Sequence, residues 1–257
     1  MEQPFNVDVP ADRQKLQRLF KVKRTEMGML TKRGFDMTLV FMMKADRNFV
    51  PVNLTEMLAP DFTFDKFLQF RQKYMIFSSR QEFSCIYIDA TSLEKATKQI
   101  LVLYLGNKPG KQVSADEFAI VKQFIMTGHY HSILLITETG LNVDNSNYVR
   151  NRIAGYRMEV FLDSEIAFDP TKHALAPISI QLIKGKTAPG QEHTDVSRWA
   201  QEEKIQAEKL PMIQTTDMVA RYYAAEPLDV FQLEIMGTTT DTAAYYRITR
   251  QAVISKK

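Results

Sequence analysis

Between Phe83 and Thr137 the chain alternates short apolar runs with amphipathic ones, and few folds accommodate that order. "FSCIYID" (83–89), "ILVLYL" (100–105) and "SILLIT" (132–137) read as strands. The last two are apolar at nearly every position, so both faces of their sheet must be covered. "TSLEKATKQ" (91–99) fills the first gap as a short helix. "SADEFAIVKQFIM" (114–126) fills the second, with Ser114 as N-cap and Glu117 three residues on, a capping box. "NSNYVRNRIA" (145–154) reads as a further helix, and "RMEVFL" (157–162) and "SEIAF" (164–168) continue the domain. Strands and helices taking turns imply an α/β sheet covered by helices.

The flanks extend this scheme. From Asp12 to Lys32 the residues Leu16, Leu19, Phe20, Met27 and Leu30 fall on one helical face, and Gly34 stands at a C′ position. "FDMTLVFMM" (35–43) reads as a strand, while "FTFDKFLQFRQKY" (62–74) suits a helix through Phe64, Phe67, Leu68 and Tyr74. Later, "ALAPISIQLI" (174–183) places Ile178, Ile180 and Leu182 on one face of a strand. "KGKTAPGQEHTD" (184–195) has no periodicity and is the best loop or linker candidate. "VSRWAQEEKIQAEK" (196–209) reads as a helix. Pro211 sends "LPMIQ" out of it as an extended segment, and Asp217 caps a short helix after it. In that helix Val219 and Tyr223 share a face, with Tyr222 on another. "VFQLEIM" (230–236), "GTTTD" and "AYYRITR" (244–250) make a hairpin. The expected division is 1–168 and 169–257, with 184–195 an inserted loop.

Hydrophobic content of 45% and charged content of 25% over 257 residues suit a soluble globular chain with a sizeable core. The net charge of +3 implies no global basic field, but its distribution is uneven. Asp12–Arg33 holds eight Lys/Arg against two Asp/Glu; Leu210–Ile248 holds two Arg against five Asp/Glu. Solvated faces are the plain reading, and two ends with different partners the sharper one. The single cysteine, Cys85, lies in an apolar run, as a small core residue in a reducing compartment would. "MEQPFNVDVP" lacks the apolar stretch of a signal peptide, and no run reaches the ~18 residues of a membrane span. The expectation is a soluble, intracellular protein.

A search for chemistry finds little. "GNKPGK" (106–111) follows a strand, but Gly106 and Gly110 enclose three residues where a Walker loop needs four, and Gln112 replaces its hydroxyl residue. His129 and His131 would share a strand face without closing a zinc shell; His173 and His193 stand alone. There is no G-x-S-x-G, and Cys85 has no local cue for a lowered pKa. A metal-dependent nuclease would need clustered strand-end acids with a nearby Lys. Asp89 ends a strand without such a partner, and Glu202–Lys204 lies in a predicted helix. No catalytic residue, metal ligand or cofactor is therefore assigned. Nucleic-acid contact is more open: Tyr148, Arg150 and Arg152 follow "LNVDNSN", with Tyr148 and Arg152 on one helical face. A solvated basic helix surface is the plainer alternative.

"LPMIQTTDMVARYY" (210–223) carries a resemblance. It is similar to the C-terminal domain of the fifth-largest subunit of eukaryotic RNA polymerase II, which is shared with polymerases I and III and has a small archaeal polymerase counterpart. The family pattern L-P-R-I-Q-x-x-D-P-V-A-R-Y-[FY] is met at Leu210, Pro211, Ile213, Gln214, Asp217, Val219, Ala220, Arg221, Tyr222 and Tyr223. Met212 and Met218 depart from it. "RLFKVKRTEMGMLTKRGF" (18–35) resembles the family's first helix. "SEIAFDPTKHALAP" (164–177) resembles its N-I-T-x-H-x-L-V-P segment through Thr171, His173, Leu175 and Pro177. "AAYYRITR" (243–250) resembles its closing strand through Tyr246 and Arg247.

The resemblance implies a non-enzymatic, two-domain subunit. Its N-terminal α/β jaw would have a nuclease-like sheet and sit beside downstream DNA. Its small C-terminal β/α domain would dock on the largest polymerase subunit. Pro211, Ile213, Gln214, Asp217, Arg221, Tyr222, Tyr223, Tyr246, Arg247, His173 and Pro177 are then the docking candidates; one tyrosine of the 222–223 pair fills the core. Asn142, Tyr148, Arg150 and Arg152 are the DNA-proximal ones. Asn142 to Asn145 replace the family's T-P-S-A. Glu226, Pro227, Glu234 and Asp241 stand in a stretch that is basic in the family, so the partner surface should differ in charge. Localisation would be nuclear, or nucleolar for a polymerase I subunit. A metal-dependent nuclease on the same sheet, and a regulator borrowing the docking domain, are the other readings.

Overall fold

The computed structural model describes residues 4–89, 98–106, 110–128, 130–150, 157–173, 176–185, 195–236 and 242–251. The chain forms two compact units, Met1–Phe168 and Asp169–Lys257, each with its own sheet. Both sheets are mixed, and the class is α/β.

The first unit opens with α1 (Pro10–Lys32), whose proline stands in the first turn, where its missing N–H costs nothing. Gly34, at φ 91°, ends the helix. The Phe35 N–H bonds to the Leu30 carbonyl and the Gly34 N–H to that of Thr31, a Schellman closure. β1 (Val40–Met43) and β2 (Phe49–Val52) form an antiparallel pair, and α2 (Phe64–Tyr74) starts at Thr63, whose hydroxyl accepts from the Lys66 N–H. β3 (Cys85–Ile88), β4 (Gln99–Leu105), α3 (Ala115–Thr127), β5 (Ser132–Thr137), α4 (Val143–Arg150) and β6 (Arg157–Leu162) complete the unit. The strand order is β2-β1-β3-β4-β5-β6; β3 runs antiparallel to β4, and β4, β5 and β6 are parallel. The capping box of α3 is formed in full by Ser114 and Glu117.

β4 and β5 are buried on both faces, as their unbroken apolar runs require. Leu101, Leu103, Leu105, Ile133 and Leu135 pack with Phe118, Val121 and Ile125 of α3. The opposite face carries Tyr104, which leads into a run of ring contacts through Phe83, Phe77 and Phe67 to Phe20 of α1.

The second unit holds β7 (Ser179–Ile183), α5 (Asp195–Glu202), β8 (Met212–Gln214), α6 (Met218–Tyr222), β9 (Val230–Met236) and β10 (Thr242–Arg250). Its sheet order is β7-β9-β10-β8. The β9–β10 hairpin is antiparallel, and β8 is added parallel to β10. Ile213, Ala220, Ala225, Phe231 and Leu233 form the core on one face. Val196, Val230 and Ile248, with Trp199 and Tyr246, form it on the other.

Several boundaries differ from those expected. The helix expected over 196–209 ends at Glu202, because Lys204 takes a left-handed φ of 55°. A 3-10 turn at Ala207–Lys209 then leads to Pro211. The strand over 35–43 is reduced to β1, since Asp36 caps a turn by accepting from the Thr38 N–H. The strand over 83–89 starts at Cys85, after a 3-10 turn at Gln81–Phe83. The 174–183 run is extended only from Ser179, which leaves Ile178 outside the strand. The 91–99 helix falls almost wholly outside the described residues, and Gln99 belongs to β4. The 184–195 loop is described only at its ends, and the hairpin tip only beyond 237–241.

Candidate docking surface

The segment 210–223 is laid against the sheet by alternation. In β8 the Ile213 side chain enters the core, while Met212 and Gln214 face out, Met212 at 67% exposure. The Pro211 carbonyl accepts from the Ile248 N–H at 2.9 Å, and the Thr215 N–H donates to the Arg250 carbonyl at 2.9 Å. Pro211 thus fits an edge strand, where a residue without an N–H is tolerated. The chain then turns at Thr215 and Thr216, and Asp217 caps α6 by accepting from the Val219 N–H at 2.8 Å.

α6 is only five residues long, and packing holds it rather than propensity. Ala220 and Tyr222 are fully buried. Tyr223 is half-buried, its ring meeting Phe231 edge-on at 5.9 Å, with Val219 beside it on the same cluster. Arg221 is half-buried on the outer side. The 3-10 turn Pro170–Lys172 packs against α6 and carries exposed His173 to its margin; Pro177 is half-buried further on. Pro211 to Tyr223 and the 170–173 turn are therefore brought together. Tyr246 lies on the opposite sheet face, against Trp199 at 4.9 Å, whereas its neighbour Arg247 is exposed on the α6 face opposite Phe231.

A latch supports this surface. Asp229 is 1% exposed and accepts from the Gly185 and Glu226 N–H groups at 2.8 and 2.9 Å and from Lys184 Nζ at 3.1 Å. Gly185 lies so close to the 228–229 backbone that a Cβ there would meet the Leu228 carbonyl oxygen at 2.3 Å. Sequence reading misses these residues; the only signals are a glycine in a polar loop and an aspartate before a strand. It also misses an apolar patch on the α6 face. The pairing register puts Ile235 beside the Leu233–Tyr245 pair, and Ile178, bonded to Glu234, leads into the neighbouring strand. Their exposures are 57% for Ile178, 43% for Ile235 and 54% for Tyr245.

In the first unit, Asn142 caps α4, its Oδ1 accepting from the Asn145 N–H at 2.8 Å. Tyr148 is half-buried, with Phe118 edge-on at 5.5 Å and Lys122 Nζ 5.0 Å from its ring. Arg150 ends α4, and Arg152 lies outside the described residues, as does His129.

Two buried polar groups lie in the same unit. At the carboxyl ends of the parallel strands, Arg80 forms a bidentate pair with Asp163 at 2.8 Å, and its guanidinium also bonds the Leu105 and Ile136 carbonyls. This is the edge at which open α/β sheets hold ligands. Here a guanidinium fills it and neutralises its buried acid. Between α1 and the sheet, Lys23 Nζ lies 2.8 Å from Glu26, 3.0 Å from the Cys85 sulfur and 3.1 Å from the Phe83 carbonyl. The Tyr104 hydroxyl donates to Glu26 at 2.8 Å. Burial pushes the Cys85 thiol up to about 12 and sends both Tyr87 and Tyr104 well above the ordinary phenol range. Burial alone would depress Lys23, but the Cys85 sulfur and the Glu26 carboxylate outweigh it, so its pKa is raised. Such a thiol is a poor nucleophile. Among the described residues no three His, Cys, Asp or Glu side chains gather as a metal cluster would require. Among them, too, no helix is long and apolar enough to cross a membrane.

Residues 190–249 match the family described as RNA polymerase Rpb5, C-terminal domain. Over 177 residues the chain is 23% identical to DNA-directed RNA polymerase V subunit 5A of Arabidopsis thaliana, covering 67% of this chain and 72% of that protein. The first match spans β8, α6 and most of the hairpin, the segment that carries the resemblance in sequence. Both matches support a diverged, Rpb5-like RNA polymerase subunit.

Proposed function

We propose that this chain is a non-catalytic, nuclear subunit that docks through the 169–257 unit on the largest subunit of an RNA polymerase, with the 1–168 unit as a jaw beside downstream DNA. The observation that carries the docking reading is the form of 210–223. Exposed Pro211, Met212, Gln214 and Asp217, with half-buried Arg221 and Tyr223, stand on a rigid base of Ile213, Ala220 and Tyr222. A hydrophobic anchor and an arginine on a fixed scaffold is the composition of a binding hot spot. His173 and Pro177 extend the surface, and Arg247 with the Ile178–Ile235–Tyr245 patch borders it. Tyr246 supports it from behind, through Trp199.

The DNA-proximal role belongs to the α4 end of the first unit. Asn142 sets the start of that helix, and Lys122 beside Tyr148 supplies positive charge. Contact there would be weak and independent of base sequence, since phosphate contacts carry no sequence information. The Arg80–Asp163 pair favours this reading over a nuclease, because it engages the buried strand-end carboxylate.

Paired substitutions test the docking face. Met212→Glu with Arg221→Glu, in a tagged chain expressed in the cells that make it, should cut the co-purifying large subunit at least ~10-fold with the fold unchanged by circular dichroism. Undiminished recovery would refute docking through this face.

A further inference from the structure

The excess of positive charge between Asp12 and Arg33 divides sharply once its partners are known. Lys23 is buried with Glu26, Arg24 bonds the Ala59 and Phe62 carbonyls, and Arg33 pairs with Glu159. The only acids of α1 are also engaged: Glu26 in the core, and Asp12 by the Asn6 N–H. In the first half of the helix this leaves one outward arc, with Lys15 lying off it. Arg13, Gln14, Gln17, Arg18 and Lys21 are all exposed, and helical spacing puts them within a little over a third of the circumference. Among the described residues none of the arc's three cations has an ion-pair partner.

We propose that this face of α1 binds the phosphate backbone of nucleic acid. A protein partner is the weaker fit. The arc offers no aromatic or aliphatic anchor, and protein interfaces are built around such anchors and depleted of lysine. Phosphate contact needs none: Arg, Lys and Gln side chains are among its usual donors. From Arg13 to Lys21 the helix rises about 12 Å, enough to meet three phosphates of a strand spaced ~3.4 Å along its axis. The site is separate from the α4 end and does not depend on docking to a polymerase, because the isolated full-length chain should show it.

The test is a fluorescence-anisotropy titration of a short labelled DNA duplex with the full chain over a series of salt concentrations. The triple variant R13Q/R18Q/K21Q keeps good helix formers throughout. It should bind at least ~10-fold more weakly at low salt, and the slope of log K against log salt should flatten by roughly 2–3. A control with the same change of charge at exposed positions elsewhere, K98Q/K204Q/K209Q, should keep most of the affinity. The proposal is overturned if the wild-type chain does not bind at low salt, if the α1 variant binds as well as wild type, or if the control loses as much. Displacement of the duplex by polyglutamate at equal charge would also overturn it, in favour of an acidic protein surface.

Discussion

Gly185 lies against the 228–229 backbone, and its lack of a side chain is what allows that approach. Gly185→Ala would drive a Cβ to 2.3 Å from the Leu228 carbonyl oxygen, which is backbone and cannot swing aside. The expected loss is about 1–3 kcal/mol of stability, read by urea denaturation. Cys85 makes a second prediction. Its folded pKa is about 12, against roughly 8.5 for a free thiol. Between those values the unfolded chain has lost a proton that the folded chain keeps, so stability falls as pH rises. Lys23 acts in the same sense: its pKa is raised, so its contribution is complete below the unfolded value and lost above the folded one. Thermal unfolding should therefore be steady up to about pH 8 and decline steeply above it, with the decline blunted in Cys85→Ala. Sequence alone placed Cys85 in the core. It gave no hint of the lysine beside it, because Lys23 lies 62 positions away on a helix that reads as uniformly basic.

Local chemistry made most elements legible. Ser114 with Glu117, Gly34 and Asp217 mark their helix ends through short-range hydrogen bonds, and all three behave as those bonds require. Asp217→Ala should cost about 1 kcal/mol and loosen α6, seen as faster amide exchange at Val219. What escaped were features with no local marker in the sequence. α5 stops at Glu202 although its sequence would continue as a helix, and β2 is a strand only because β1 pairs with it. Arg80 is the strongest case. It lies in a 3-10 turn region with no motif, yet it ties the ends of β4 and β5 to Asp163. Asp163→Asn would leave a buried guanidinium unbalanced, and about 3–5 kcal/mol of stability should be lost in chemical denaturation.

For the molecule as a whole, the α/β class followed from the order of apolar runs, and the Rpb5-like character from 210–223, the stretch that the family match spans. The proposed docking surface was legible only in part. The sequence marks Pro211, Asp217 and Arg221, but only the register of β9 and β10 puts Tyr246 behind the sheet and leaves Ile235 and Tyr245 exposed on the α6 face. The central claim is that this chain works as a stoichiometric part of an RNA polymerase. Affinity purification of the tagged chain from its own cells, followed by native mass measurement, tests it most directly. The expected result is one copy in an assembly that contains the two large polymerase subunits. Recovery of the chain at its own mass of 29.6 kDa, with no large subunit attached, would contradict the account.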